Sequence, residues 1–251
     1  MIELDKHSKT LGLSTDDGYL AVGYRSLVGY FSPRTELVAA ASDTKYTSYG
    51  TATGSSNGKL AQEVLLVDAE TYVLQAFPAA VVNFLSDKLK SPKADDYPSI
   101  IITGVNHGPN VGENLIHSGT FCGAVIATWR GHSGLAVSLD DVYSVCEDNP
   151  GDFKFERAAS YAWLVFVAIR SASRRYLVNI NMPNSDSPPR FVPSFPEGSQ
   201  EGGMLQSDVS VLRSGQASLT VFHPGSFLVD KASTESLAGQ LNVALESKCD
   251  L

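Results

Sequence analysis

The chain has 251 residues, 43% of them hydrophobic and 18% charged, which is the composition of a folded globular protein rather than a disordered one. Its net charge of −8 argues against non-specific binding to nucleic acid or to an anionic membrane, both of which need a basic face. Cys122, Cys146 and Cys249 are odd in number, widely spaced and free of any CxxC pair, so neither a zinc site nor a disulfide framework is expected, and a reducing compartment fits. The opening MIELDKHSKT is charged and has no apolar signal core, and the longest apolar run, residues 162–169, is too short to span a bilayer. A cytoplasmic protein is expected.

The first element is LGLSTDDGY, residues 11–19, a short apolar stretch that reads as a buried strand ending in Asp16, Asp17 and Gly18. Open α/β sheets bind ligands at the carboxyl ends of such strands. Adjacent carboxylates repel and burial adds to the cost, whereas a hard divalent cation removes the penalty. The same residues also fit a solvated turn in which Asp17 caps the next helix. On this stretch alone both readings stand.

Residues 21–31 carry apolar side chains at helical spacing and are ended by Ser32-Pro33. Residues 36–41 (ELVAAA) read as a strand, followed by a Ser/Thr/Gly/Tyr-rich loop, 42–58, on the same sheet edge as Asp16. Short strands are expected within 60–73, a helix over 78–89 and a surface connection at 91–98. The almost wholly apolar SIIITG, 99–104, suits a central parallel strand. It leads into VNHGPNVGENLIHSGT, 105–120, a long polar loop of the kind that is usually functional. Ser118, Gly119 and Thr120 then open a helix to about Arg130. A strand at 135–139, a well-buried helix over 155–170 and a strand at 176–180 follow. Residues 184–203, dense in Pro, Ser and Gly, read as a loop or flap, before strands at 209–212 and 217–222 and a closing helix at 235–245. The alternation implies an α/β fold with a mostly parallel sheet. With no internal repeat or linker, a single domain over 1–251 is expected, its core at about 10–183 and the flap and C-terminal elements at about 184–251.

Three polar loops thus meet one sheet edge, and here the sequence resembles the SurE family of survival-protein nucleotidases. STDDGYLAVGYRSL is similar to that family's opening NDDG block, GVNHGPNVGENLIHSGT to its long central block, and LAVSLD, VNINMP and SDVSVLRSGQASLTVFHP to its later strands. The resemblance implies a Rossmann-like three-layer sandwich and a phosphomonoesterase that uses one divalent ion (Mg, Mn or Ca) on nucleoside 5′/3′-monophosphates. It implies Asp16, Asp17 and Asn106 as metal ligands, with Thr47 as the hydroxyl ligand and Ser48 as its alternative. It places Asn110, Ser118, Gly119 and Thr120, together with Asn106, against the phosphate, and makes Asp16, Asp17 and Asn110 the catalytic set, one aspartate being the base that orients water: Asp16 by family position, with Asp17 as the alternative that the sequence does not separate from it. A helix N-terminus suits a phosphate dianion, while Ser118 also reads as a plain N-cap. His107 is either an acid toward the leaving group or an exposed bystander; His117 and His223 read as structural. Tyr46, Tyr49 and Phe191 are candidates for base stacking or ordinary loop anchors. A small phosphomonoester is the expected partner, with assembly as a homodimer.

The sequence departs from the family pattern in four places. AFPAAVV, residues 76–82, replaces GTPxDC; Ile126 stands where a helix glutamate is usual; the segment between VNINMP and Ser207-Asp208 is short, so the C-terminal arm is reduced; and the N-terminus is longer. A broad acid phosphatase, or a catalytically weak nucleotide- or phosphometabolite-binding protein, is therefore the alternative. No GxGxxG follows the first strand, which leaves a dinucleotide-dependent oxidoreductase without support.

Overall fold

β1 (Leu11–Ser14) has all four residues buried and lies in parallel between β2 (Val38–Ser42) and β5 (Ile100–His107). The computed structural model describes residues 11–46, 59–66, 69–89, 97–143, 154–185, 187–198 and 205–247. Outward from β1 the parallel sheet adds β4 (Ala69–Gln75) beside β2 on one side, and β6 (Ser133–Leu139) and β7 (Leu177–Met182) beyond β5 on the other. β3 (Lys59–Leu66) is antiparallel to β4 at one edge. At the far side β10 (Ala217–Phe222) runs antiparallel to β7, followed by β8 (Phe191–Phe195) and the two-residue β9 (Gln206–Ser207). The order is β3-β4-β2-β1-β5-β6-β7-β10-β8-β9.

Period-2 alternation assigns the two faces. Ile100 and Ile102 join the cluster under α1 (Val22–Phe31), α4 (Phe155–Ile169) and α6 (Lys231–Glu246), while Ile101 joins that under α2 (Pro78–Lys88) and α3 (Gly119–Trp129). α1 docks through Tyr24, Leu27, Val28 and Phe31, an i, i+3, i+4, i+7 stripe. α2 starts at Pro78 in its first turn, where the missing N–H removes no helical bond. These layers give the expected α/β sandwich with a mostly parallel sheet.

Several expectations need correction. Residues 209–212 are not a strand: Val209, Val211 and Leu212 bury one side of α5 (Asp208–Arg213), and Ser207 caps it by accepting from Ser210 N. Four residues are too few to separate a period of two from one of 3.6. The stretch 184–203 is not only a flap, because it contains β8 with Pro193 inside it. Proline had argued against a strand there. The enclosed helix is α3, buried from Gly119 to Thr128, whereas α4 leaves Trp163, Leu164, Val167 and Ala168 half covered. Phe191 is not a loop residue but core, buried and packed at a tilt against Tyr161 with ring centroids 5.4 Å apart. Cys122 is buried and unpaired, and Cys146 and Cys249 lie outside the described residues. Among the described residues no helix is long and apolar enough to cross a membrane.

Candidate functional site

The central strand extends past its apolar run and carries Asn106 itself, which had been expected in a loop. Between β5 and β6 the register passes from Thr103↔Ala136 to Asn106↔Ser138, three residues against two. This bulge re-aims the end of the strand. It needs Gly104, whose φ is +128° and whose added Cβ would lie 2.2 Å from Val137 O.

Asp16 and Asp17 follow β1 and are both buried, Asp16 at 3% exposure and the Asp17 side chain at 6%. The helix after them, α1, has Ala21 as its N-cap residue and no side-chain cap, so Asp17 does not act as the solvated helix cap. Its Oδ2 accepts the backbone N–H of His107 at 3.2 Å, and its Oδ1 pairs with Lys45 Nζ at 2.7 Å. The diacid therefore faces the asparagine segment, with the loop after β2 beside it. Tyr46 N donates to Asp16 O at 2.8 Å and Tyr19 N to Ser42 O at 3.0 Å, which ties that loop to β1. Thr47 and Ser48 lie outside the described residues.

Thr120 donates its hydroxyl to Asp16 Oδ1, and Thr103 Oγ1 donates to Thr120 O at 2.7 Å. Ser118 is the N-cap of α3, its Oγ accepting from Phe121 N at 2.9 Å. The Thr120 hydroxyl gives its hydrogen to Asp16, whereas the Ser118 hydroxyl only accepts and keeps its own, so this turn offers an anion its backbone N–H groups and the Ser118 O–H. Gly119 is bare for a reason: a Cβ there would stand 2.7 Å from Asp16 Oδ2. Burial, and next the charge of Asp17, raise the Asp16 carboxyl from 3.8 to about 6, against the lowering effect of the Thr120 bond. The Lys45 ammonium is held above its usual range, chiefly by its hydrogen bond to Asp17.

Asn106 Nδ2 donates to Gly108 O at 2.7 Å, leaving Oδ1 as the atom it can offer an ion. Asn110 is buried, and its Nδ2 donates to Ser138 Oγ at 2.8 Å. His107 is partly exposed, 3.2 Å from Asp141 Oδ2 through Nε2 and edge-on to Phe155. Tyr46 stacks edge-on against Phe77 at 5.1 Å, and Tyr49 lies outside the described residues. His117 ends the short 3-10 helix Gly112–His117.

The donor chemistry fits a hard divalent cation. Two adjacent buried carboxylates repel each other, which raises the Asp16 pKa, and the pair already attracts an ammonium; Asn106, whose amide oxygen is neutral, is next in sequence to the His107 N–H that bonds Asp17. Among the described residues no cluster of three His, Cys, Asp or Glu side chains occurs, so the set would be carboxylate and neutral oxygen.

A family model for survival protein SurE matches residues 12–193. The chain belongs to the SurE family. The chain is 29% identical over 188 residues to the 5'-nucleotidase SurE of Vibrio vulnificus, covering 72% of this chain and 66% of that protein. It is 30% identical over 172 residues to the 5'-nucleotidase SurE of Syntrophomonas wolfei, covering 68% and 62%. The matches thus span slightly under two thirds of these relatives' length. The crystal structure of the SurE protein from Aquifex aeolicus superposes with a TM-score of 0.66 at 19% identity, over 85% of this chain and 92% of that one, which supports the fold.

Two departures from the SurE pattern meet in one place. Ala76, Ala79, Val81 and Val82 share an apolar cluster with Ile126 between α2, α3 and the sheet. Neither departure removes Asp16, Asp17 or Asn106. Sequence reasoning missed Lys45, Asp208 and the two asparagines of VNINMP. Asp208 is buried and accepts from Gly112 N at 2.9 Å, Glu197 N at 3.0 Å and Val209 N at 2.9 Å, tethering the asparagine loop from α5. Burial raises its carboxyl to about 6. The SurE-like blocks SDVSV and VNINMP pointed toward Asp208 and the two asparagines, and neither contains Lys45.

Proposed function

We propose that this chain is a divalent-metal-dependent phosphomonoesterase acting on nucleoside 5′/3′-monophosphates. The observation that carries the reading is the meeting of the buried Asp16-Asp17 pair with the Asn106-His107 backbone and the N-terminus of α3. Asp16, Asp17 and Asn106 would hold the ion, with Thr47 or Ser48 as a fourth oxygen. A bound Mg²⁺, Mn²⁺ or Ca²⁺ supplies Lewis-acid polarisation of a phosphoryl oxygen. Asn110 Nδ2 has a second hydrogen beyond the one given to Ser138, and this with the Gly119 and Thr120 N–H groups would orient the phosphate. Asp16 is the base: a water oxygen attacks phosphorus and its proton passes to Asp16, the ester P–O bond breaks, and the leaving oxygen takes a proton from solvent, so that nucleoside and inorganic phosphate are released. Buried beneath Thr120, Asp16 is shielded from bulk water and fixed in orientation.

The relatives named 5'-nucleotidase support this substrate class. A single domain over 1–251, a cytoplasmic location and a homodimer belong to the same proposal; light scattering reads the last. The Lys45–Asp17 ion pair favours a second reading, a catalytically weak phosphometabolite-binding protein in which the ammonium competes with the ion. Hydrolysis of p-nitrophenyl phosphate and of nucleoside monophosphates, with Mn²⁺ or Mg²⁺ and after chelation, separates the two. Turnover that needs the metal and falls at least about 100-fold in Asp17→Asn supports the enzyme. Tight nucleotide binding without turnover supports the second reading.

A further inference from the structure

Below the asparagine loop a row of polar side chains crosses four neighbouring strands. The register aligns Asn106 on β5 with Ser138 on β6, Ser138 with Asn181 on β7, and Asn181 with Ser218 on β10. Ser138, Asn181 and Ser218 are at most 1% exposed, in a part of the sheet where apolar residues would ordinarily stand. Asn181 uses its carboxamide as a peptide group would. Its Oδ1 accepts Asn110 N–H at 2.7 Å, and its Nδ2 donates to Asn110 O at 3.0 Å and to Ser218 Oγ at 3.1 Å. Asn179 Nδ2, two residues earlier on the same strand, also donates to Asn110 O at 3.0 Å.

Asn110 is thereby held at its backbone N–H, at its backbone carbonyl and, through Ser138, at its side chain. Loop backbone rarely receives this treatment from strand interiors, since such buried amides cost about 1–3 kcal/mol each when left unpaired. Because the row begins at Asn106, it also sets the separation between the residue offered to the ion and the residue offered to the phosphate.

We propose that Asn181 is a positioning residue, which fixes Asn110 relative to Asn106 so that the second Asn110 Nδ2 hydrogen meets the phosphate. The proposal rests on the phosphomonoesterase reading for its consequence, but not for the clamp itself. A step of this kind acts on orientation, so small misplacements have large effects on rate.

The test uses the full chain with Asn181→Leu, close in shape but without hydrogen-bonding atoms. Ser138→Ala, which removes one hydroxyl, serves as a second variant should the first fail to fold. Amide hydrogen exchange reads the Asn110 N–H directly. Binding of inorganic phosphate to the Mn²⁺-loaded protein, and Mn²⁺ binding itself, are read by calorimetry. Asn181→Leu is expected to lose Asn110 protection while β6 keeps its own, and both variants to weaken phosphate by about 10- to 100-fold with Mn²⁺ affinity within about twofold. In turnover the loss would appear in both kcat and KM. A folded Asn181→Leu with unchanged Asn110 exchange, or either folded variant with unchanged phosphate affinity, overturns the proposal. If the wild-type chain binds no phosphate, the phosphomonoesterase reading fails separately, and exchange at Asn110 alone decides the clamp.

Discussion

At the scale of single residues, the site depends on an unfavourable placement. Asp16 is buried beside a second carboxylate, and its pKa rises from 3.8 to about 6. The native state therefore prefers the protonated acid. The stability from that preference is complete below about 3.8 and is lost as pH rises through about 6. In a chelator, wild type should gain about 1 kcal/mol on Asp16→Asn between pH 7 and pH 5, with the variant the more stable of the two at pH 7. Urea denaturation at both pH values measures this, and a difference that does not change with pH would contradict the buried-charge account. Added Mn²⁺ should stabilise wild type and leave Asp16→Asn nearly unmoved. Gly119 belongs to the same arrangement, because any side chain there would enter the space Asp16 fills.

At the scale of elements, what the sequence made legible depended on how local the determinant was. β1, α1, α2 and α3 follow from apolar spacing and a proline in the first helical turn, all within one segment. β8 and α5 were hidden, since Pro193 in a strand and three apolar residues in a six-residue helix carry no clear period. Asp16, Asp17, Asn106 and Asn110 could be picked out, but not that Asn106 ends a bulged strand, which depends on β6 lying alongside. Lys45, Asn181 and Asp208 reach Asp17, Asn110 and Gly112, 28, 71 and 96 positions away, and have no local pattern. The paired departures in α2 and α3 give an element-scale prediction. Ile126→Glu would put a carboxyl into an apolar cluster at a position only 5% exposed. It should lower stability by about 2–4 kcal/mol in urea denaturation. A loss under about 1 kcal/mol would show that the cluster still accommodates the acid.

For the whole molecule, a parallel sheet places the ends of β1, β2, β5 and β6 along one edge, so that residues distant in sequence share a single site. The C-terminal half is part of that site, since β7, β10 and α5 hold the asparagine loop in place. The central claim is that Asp16, Asp17 and Asn106 together hold one divalent cation. Mn²⁺ titration followed by electron paramagnetic resonance tests it most directly, on wild type and on Asp17→Asn. The account predicts one Mn²⁺ per chain in wild type, at least about tenfold weaker binding in the variant, and hydrolysis that falls in parallel. Stoichiometric Mn²⁺ binding that Asp17→Asn leaves intact, or phosphate-ester hydrolysis that survives chelation, would contradict it.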